Sequence, residues 1–258
     1  MSAVPAIVSI WVFVIAVTAL AVGVHAVIQW RIASYERMVK HNDVAGFLLS
    51  VVGVIYAVVL GFVVIVAWQK YGAALDNADQ EVAGVSDLYR TAAGFPAPLR
   101  ATVRRELHSY VELMINKEWP EMARGVQGNE GLNMLEKVAY AVNTFRPSNA
   151  GEADVHQQSL GLLTRLFDAR RMRSHENSPS IAPILWAALV VGGLATLGFS
   201  YLFGVEARRV QLLMTGIVAC VIAIMFATII EFNRPFSGGV GIPSAGWTWL
   251  AGRLPYIR

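Results

Sequence analysis

The chain has 258 residues, of which 55% are hydrophobic and only 15% are charged, whereas an ordinary soluble domain carries roughly a quarter charged residues. This composition argues against a soluble enzyme and favours a membrane protein. The net charge of +3 is too small and too scattered for a nucleic-acid-binding surface, and the single cysteine, Cys220, excludes an intramolecular disulfide.

Four intervals of the chain contain no charged residue: 1–30, 44–69, 177–205 and 210–230. A helix that rises about 1.5 Å per residue needs about 20 apolar residues to cross the hydrocarbon core of a bilayer. The sequence therefore predicts a multi-pass protein of the cell (inner) membrane, with transmembrane helices at about residues 4–30, 44–69, 181–204 and 210–231. A signal peptide is the alternative for the first interval, but no basic residue precedes it and its apolar stretch is too long.

The interval from Lys70 to Glu176 holds 27 of the 39 charged residues. It is predicted to be helical, its first helix continuing the second span, with breaks at residues 94–96, 119–120, 125–131 and 146–147. The fold class expected is thus all-α, with four transmembrane helices and a helical extramembrane domain between the second and third. The predicted division of the chain is 1–69 (two spans), 70–176 (helical domain), 177–232 (two spans) and 233–258 (a tail rich in Gly, Pro and Trp).

Three apolar stripes at helical spacing run through the helical domain. They favour a small helical bundle, with contacts between subunits as the alternative, because such spacing does not separate the two. Most carboxylates of the domain are expected on solvated faces. The stripes comprise Leu75, Ala78, Val82, Val85 and Tyr89; Leu99, Val103, Leu107, Tyr110 and Met114; and Leu160, Leu163, Leu166 and Phe167.

The second span carries small residues along one narrow face. Small residues let helix backbones approach closely in a bilayer, so tight helix packing is one interpretation. The other is that this face, or the side chains beside it, lines a narrow hydrophobic pore. The face comprises Gly46, Ser50, Gly53, Ala57, Gly61, Val64 and Trp68. A second packing face is predicted in the fourth span, at Thr215, Ala219, Ala223 and Ala227.

Two ionisable residues fall within the spans, His25 in the first and Glu231 at the edge of the fourth. An intramembrane ionisable group is a functional candidate by default. Both lie near span ends, where we expect water to reach them, and Glu231 with Arg234 is suited to an interfacial ion pair.

Catalytic and cofactor motifs are missing from the sequence. It contains no phosphate-binding loop, paired-histidine zinc motif, nucleophile elbow or dinucleotide fingerprint, and its five histidines have no metal-ligand spacing. We therefore expect no catalytic residue, no metal site and no cofactor, in a protein that is not an enzyme. Asn42 or Asp43 is expected to cap the second span.

Several segments together resemble the prokaryotic bestrophin-like family. Their order and spacing cover nearly the whole chain, from about residue 36 to residue 243. The segments are HNDVAGF at 41–47, GVIYAVVLGF at 53–62, WQ at 68–69, LYR at 88–90, EWPEM at 118–122, FSYLFG at 199–204, LMT at 213–215 and RPFSG at 234–238.

This resemblance implies a homo-oligomeric ion channel in the lipid bilayer, for anions rather than cations, in which the second transmembrane helix lines a pore with a hydrophobic neck. Tyr56, Leu60 and Val64 are the neck candidates that it suggests. No nucleic-acid partner is expected. The alternative function is a non-conducting membrane scaffold or sensor whose helical domain binds a protein partner. The charge bias of the short loops places residues 70–176 outside the cell, whereas bestrophins hold this region in the cytoplasm, so the orientation stays open.

Overall fold

A computed structural model describes residues 4–31, 39, 42–178 and 181–254. No β-strand occurs among these residues. Along the chain the helices are α1 (Val4–Arg31), α2 (Asn42–Thr91), α3 (Ala97–Leu113), α4 (Trp119–Met122), α5 (Glu130–Thr144), α6 (Ala150–Glu176), α7 (Pro183–Tyr201), α8 (Arg208–Phe232) and α9 (Ala245–Ala251).

The chain divides into two compact units. The membrane unit comprises Met1–Lys70 and Ser180–Asn233, and the helical unit comprises Tyr71–Pro179 and Arg234–Arg258. Helix α2 is continuous for 50 residues and belongs to both units, as its predicted continuation beyond the second span requires.

Four helices, α1, α2, α7 and α8, are long and apolar enough to cross a membrane. The predicted all-α fold with four candidate spans is therefore confirmed. Each of these helices contains an apolar stretch from one of the charge-free intervals, because a long stretch without charge can be buried in hydrocarbon as a helix that satisfies its own backbone hydrogen bonds.

Small residues allow close packing within the membrane unit. Helix α1 packs along α8, where Val14 contacts Ala223 and Ala227. All four residues predicted as the packing face of the fourth span are buried. On α7, Thr196 Oγ1 donates to Gly192 O at 2.8 Å, so this hydroxyl is satisfied within its own helix.

The helical unit has one apolar core, formed by the second half of α2 together with α3, α5, α6 and α9. The three predicted stripes all contribute to this core, except that Leu75 is exposed. Their partners therefore lie within the same unit, as the bundle interpretation predicts.

The break predicted at residues 119–120 is wrong. Helix α3 passes without interruption into a π-helical turn, Met114–Glu118, and then into α4. Proline inside a helix lacks the N–H donor and its ring crowds the carbonyl four residues earlier. The wider π turn just before Pro120 relieves this conflict, so the chain stays helical through the proline. The other three predicted breaks coincide with interruptions between helices.

The tail packs into the core of the helical unit. Trp247 is fully buried and meets the ring of Tyr110 edge-on at 5.7 Å, and Trp119 Nε1 donates to Ile242 O at 2.9 Å. Trp249 stays exposed under the guanidinium of Arg253. The tail is thus a structural part of the unit. Tyr256 lies outside the described residues.

Candidate functional site

The membrane half of α2 buries one face in the membrane unit. Tyr56 is 7% exposed and Leu60 is 8% exposed, and both belong to an apolar cluster with Leu189 of α7 and Ile229 of α8. Val63 and Ala67 continue this face. Tyr56 and Leu60 therefore take part in helix packing within the protomer.

A pair of glycines on α7 accommodates the ring of Tyr56. A Cβ atom at Gly192 would lie 2.3 Å from Tyr56 Cδ2, and one at Gly193 would lie 3.1 Å from the Tyr56 hydroxyl oxygen. The first distance is shorter than any van der Waals contact and the second is tight, so glycine at Gly192 allows α7 to approach α2 this closely.

The small-residue face of α2 lies beside the buried face and stays largely open. Ser50, Ala57, Gly61 and Trp68 are exposed, whereas Gly46, Gly53 and Val64 are half-buried. A Cβ atom at Gly53 or Gly61 would meet no atom within 4 Å. A groove of about 450 Å³ runs past Ser50, Gly53 and Ala57 and has Thr196 and Ser200 on its other side. Within one protomer, most of this face is therefore available to lipid, a pore or a second copy.

Asn42 holds the loop between α7 and α8 against the start of α2. Its Nδ2 donates to Gly204 O and its Oδ1 accepts from Gly204 N, both at 2.9 Å. The side chain of Asn42 thus binds another loop, where the sequence suggested an N-cap. The neighbouring His41, the first residue of the segment at 41–47, lies outside the described residues.

His25 is the centre of a buried polar chain. It exposes none of its surface, so the expectation that water reaches it is wrong. Its Nδ1 lies 2.7 Å from Thr215 Oγ1, its Nε2 lies 3.3 Å from Gln29 Nε2, and Gln29 Nε2 donates to Gln211 Oε1 at 2.7 Å. Neither glutamine is among the residues that the sequence predicted to be functional. The available signal was their spacing, since Gln29 follows His25 by four residues and Gln211 precedes Thr215 by four.

Glu231, the second predicted ionisable candidate, lies in the last turn of α8 and is half-buried. The helix end gives this carboxylate partial access to solvent. His25 is thus the more isolated of the two groups.

The helical unit contains a buried ionic cluster of two carboxylates and two guanidinium groups. Arg173 Nη2 lies 2.7 Å from Glu118 Oε1 and Arg170 Nη1 lies 2.9 Å from it, and Arg173 Nε pairs with Glu81. Tyr110 donates its hydroxyl proton to Glu81 and accepts from Arg170 Nη1. All five side chains are buried, so the expectation of solvated carboxylates is wrong for Glu81 and Glu118.

The charges of the cluster shift the pKa of its members. Burial raises the pKa of the Tyr110 hydroxyl well above its usual value, and the adjacent Glu81 carboxylate raises it further. Burial alone would lower the pKa of the Arg173 guanidinium, but Glu81, Tyr110 and Glu118 together more than offset this, so the pKa is raised. The guanidinium groups thus stay charged beside both carboxylates.

Groups of three or more His, Cys, Asp or Glu residues that could hold a metal ion do not occur among the described residues. The candidate features are therefore the exposed small-residue face of α2, the buried polar chain around His25 and the buried ionic cluster of the helical unit.

The family profile described as Bestrophin-like domain matches residues 15–246 of the chain. The fold is similar to that of a mutant of a bacterial bestrophin homolog from Klebsiella pneumoniae, with a TM-score of 0.68 at 14% identity over 93% of this chain and 97% of that chain. It is similarly close to the crystal structure of a membrane protein variant, with a TM-score of 0.67 at 13% identity and the same coverage. Among curated proteins no sequence matches. Because this family profile matches most of its length, the chain belongs to the bestrophin-like family of membrane proteins.

Proposed function

We propose that the chain forms a homo-oligomeric ion channel of the cell (inner) membrane, which it crosses with four helices, and that α2 lines the pore. Residues 70–176 form the extramembrane domain in this proposal, and the protein is not an enzyme. Family membership supports the proposal, and the observation that carries it is the free apolar face of α2.

This free face lies opposite the buried one. At about 100° per residue, Val54, Val58 and Ile65 point away from the side of α2 that holds Tyr56 and Leu60. All three are exposed in the protomer. A single helix cannot enclose a pathway, so several copies of α2 have to surround one. The open small-residue face between the two sides suits the close approach of a neighbouring α2.

The burial of α2 supports a different pore lining from the one that the family resemblance suggests. Tyr56 and Leu60 would have to leave their apolar cluster in order to face a pore, whereas Val54, Val58 and Ile65 need no rearrangement. We therefore assign the hydrophobic neck to these exposed residues, and Val64, which is half-buried, to its border.

Selectivity for anions is the second part of the proposal. Cation channels concentrate their ion with rings of carboxylates. Residues 44–69 of α2 contain no charged side chain, so this stretch offers neither a carboxylate ring for cations nor a Lys or Arg ring for anions. An apolar neck gates by dewetting, and the family relationship favours anions as the permeant ions.

The test is ion flux in liposomes that contain the purified chain, with the oligomer mass measured in parallel. We expect chloride flux to exceed potassium and sodium flux. Val58→Ala widens the proposed neck and should raise chloride flux severalfold. The matched control is Leu60→Ala, which removes a similar apolar volume from the buried face and should leave the conductance unchanged in folded oligomers.

A stable oligomer that carries no chloride, potassium or sodium would contradict the channel proposal. Flux that responds to Leu60→Ala and not to Val58→Ala would contradict the pore lining. A scaffold or sensor would bind its partner through the helical domain, whose apolar stripes pack into one core.

A further inference from the structure

The buried polar chain around His25 ends at a backbone carbonyl, and this end fixes the direction of every hydrogen bond. Gln211 Nε2 donates to Phe203 O, which can only accept, so Gln211 Oε1 is the atom that faces Gln29. Gln29 therefore donates to Gln211 Oε1 at 2.7 Å. Its second amide hydrogen points to His25 Nε2 at 3.3 Å.

The direction of these bonds places the proton of the imidazole ring. Because His25 Nε2 accepts from Gln29, it carries no hydrogen, and the ring proton is on Nδ1, which donates to Thr215 Oγ1 at 2.7 Å. Both ring nitrogens, the Gln29 amide nitrogen and both polar atoms of the Gln211 amide have partners in this arrangement. The chain thus fits a neutral His25.

A second proton on His25 cannot be placed without the loss of a bond. On Nε2 it would face the amide nitrogen of Gln29, which offers no acceptor. Rotation of the Gln29 amide would take the donor away from Gln211 Oε1. Rotation of Gln211 as well would set its oxygen against the carbonyl of Phe203. A buried polar group is left without a partner in each case, which is unfavourable.

The loop that receives the last bond of the chain also holds the start of α2. Gly204 follows Phe203 and makes both hydrogen bonds with Asn42, at 2.9 Å. The ring of Phe203 lies 3.7 Å from the position of a Cβ atom at Gly46. A displacement of Phe203 therefore reaches the first two turns of α2.

Two other titratable or charged groups adjoin the chain among the described residues. On α7, the ring of Tyr201 packs against His25 with centroids 4.8 Å apart, and its hydroxyl donates to Ala21 O at 3.1 Å. At the start of α8, Arg208 donates to Gln29 O at 3.4 Å. Neither is a carboxylate that could neutralise a charged imidazole.

We propose that His25 is a proton-sensing site, and that its protonation breaks the chain to Gln211 and releases the loop 202–207 from the start of α2. The inference rests on the proposed function only for its consequence, a change in the pore helix. The release of the loop itself requires no conduction.

The test is hydrogen exchange of the full-length protein in detergent at about pH 8 and about pH 5.5, which bracket histidine titration. After correction for the intrinsic effect of pH, exchange in segments 42–48 and 202–207 should be about fivefold faster at the lower pH, the effect of losing roughly one buried hydrogen bond. His25→Gln, which cannot titrate, should remove this difference.

Two further variants make the result decisive. Gln211→Leu cuts the chain while His25 remains, so exchange of the loop should be fast at both pH values, and this variant carries the test if His25→Gln does not fold. His108→Gln, in the helical unit, should keep the pH difference of the parent. A parent without the pH difference, or a folded His25→Gln that retains it, overturns the proposal.

Chloride flux at the same two pH values separates this inference from the channel proposal. If the liposomes conduct, the flux should depend on pH in the parent and not in His25→Gln. Hydrogen exchange that depends on pH, in a protein that conducts at neither pH, would refute the channel and support the proton sensor. Flux with the same pH dependence in both proteins would overturn the sensor.

Discussion

The two units bury polar side chains in different ways. The interior of the helical unit contains two glutamates and two arginines, which neutralise one another. Apart from Lys70, which is buried at the end of the second span and donates to Asn233 O, the membrane unit buries His25, Gln29, Gln211 and Thr215, which bond to one another as neutral groups. A buried charge is tolerated only when opposite charges and donors surround it. The sequence supplies such partners between Lys70 and Glu176 and almost none within the spans.

The interiors of the two units therefore depend on different forces. The helical unit depends on charge balance, so the loss of one member leaves an uncompensated charge. The membrane unit depends on the fit of small residues and on the direction of neutral hydrogen bonds. We therefore expect charge removal to be most harmful in the first unit, and added volume to be most harmful in the second.

The largest effect should come from Arg173→Met. This change leaves Glu81 and Glu118 with Arg170 as their only cationic partner in the cluster, and breaking a buried ion pair in this way costs about 3–5 kcal/mol of unfolding free energy. Chemical unfolding, followed by the fluorescence of the buried Trp119 and Trp247, measures this loss.

Arg171→Met is the matched control. Arg171 lies two residues away on α6, its side chain is 72% exposed and it pairs with Asp168 on the surface. An exposed pair contributes about 0–1 kcal/mol, so this variant should unfold almost as the parent does. Equal losses in the two variants would show that the buried cluster has no special role in stability.

The next largest effect should come from Gly192→Ala in the membrane unit. The added methyl group would lie 2.3 Å from Tyr56 Cδ2, so α7 and α2 have to separate. Overpacking of this kind costs about 1–3 kcal/mol. Thermal unfolding in detergent and the yield of folded oligomer measure the loss.

Gly198→Ala, on the same helix, is the control for Gly192→Ala. Its methyl group would meet no atom within 4 Å, and alanine has the higher helix propensity. We expect no loss of stability. The double variant Gly192→Ala with Tyr56→Leu should recover part of the stability, because the smaller side chain makes room. If Gly192→Ala were no less stable than Gly198→Ala and the double variant recovered nothing, the close approach of the helices at Gly192 would be unimportant.

The fold could be predicted from the sequence because its determinants are local. Charge-free length identified the four candidate spans, and helical spacing identified the stripes that form the core of the helical unit. The break expected at Pro120 was wrong because composition does not show that a preceding π turn can accommodate a proline.

The ionic cluster was missed because its partners come from distant parts of the chain. Its members nevertheless follow the apolar spacing. Glu81 lies between Ala78 and Val85 on the buried face of α2, and Arg170 and Arg173 continue the interval of Leu163 and Leu166 on α6. Charged residues at core positions were the available signal, but the spacing could not identify which glutamate meets which arginine. The neck candidates Tyr56 and Leu60 come from the family resemblance, which does not tell which side of α2 the rest of the protomer covers.

An effect of similar size should come from Gln29→Leu, which sharpens the contrast with the ionic cluster. It leaves Gln211 Oε1 and His25 Nε2 without a donor, and an unsatisfied buried group costs about 1–3 kcal/mol. Gln29→Leu combined with Gln211→Leu should cost less than the sum of the two single changes, because no unpaired glutamine oxygen remains. Thermal unfolding of the three variants measures this, and strict additivity would contradict the neutral chain.

The smallest effect should come from an exposed charge, at the start of α6. The Glu152 carboxylate accepts from Ser148 Oγ at 2.6 Å and from Ser148 N at 2.8 Å, and these bonds hold the pKa of Glu152 below its usual value. Since the pKa is lowered in the folded state, the stabilisation is present at neutral pH and is lost as the pH falls through that lowered pKa. Hydrogen exchange in the first turn of α6 should therefore rise roughly twofold in acid, after correction for the intrinsic effect of pH. In Glu152→Gln the exchange should already be raised at neutral pH and should not change further. The same acid response in parent and variant would show that the Ser148 bonds do not hold this turn.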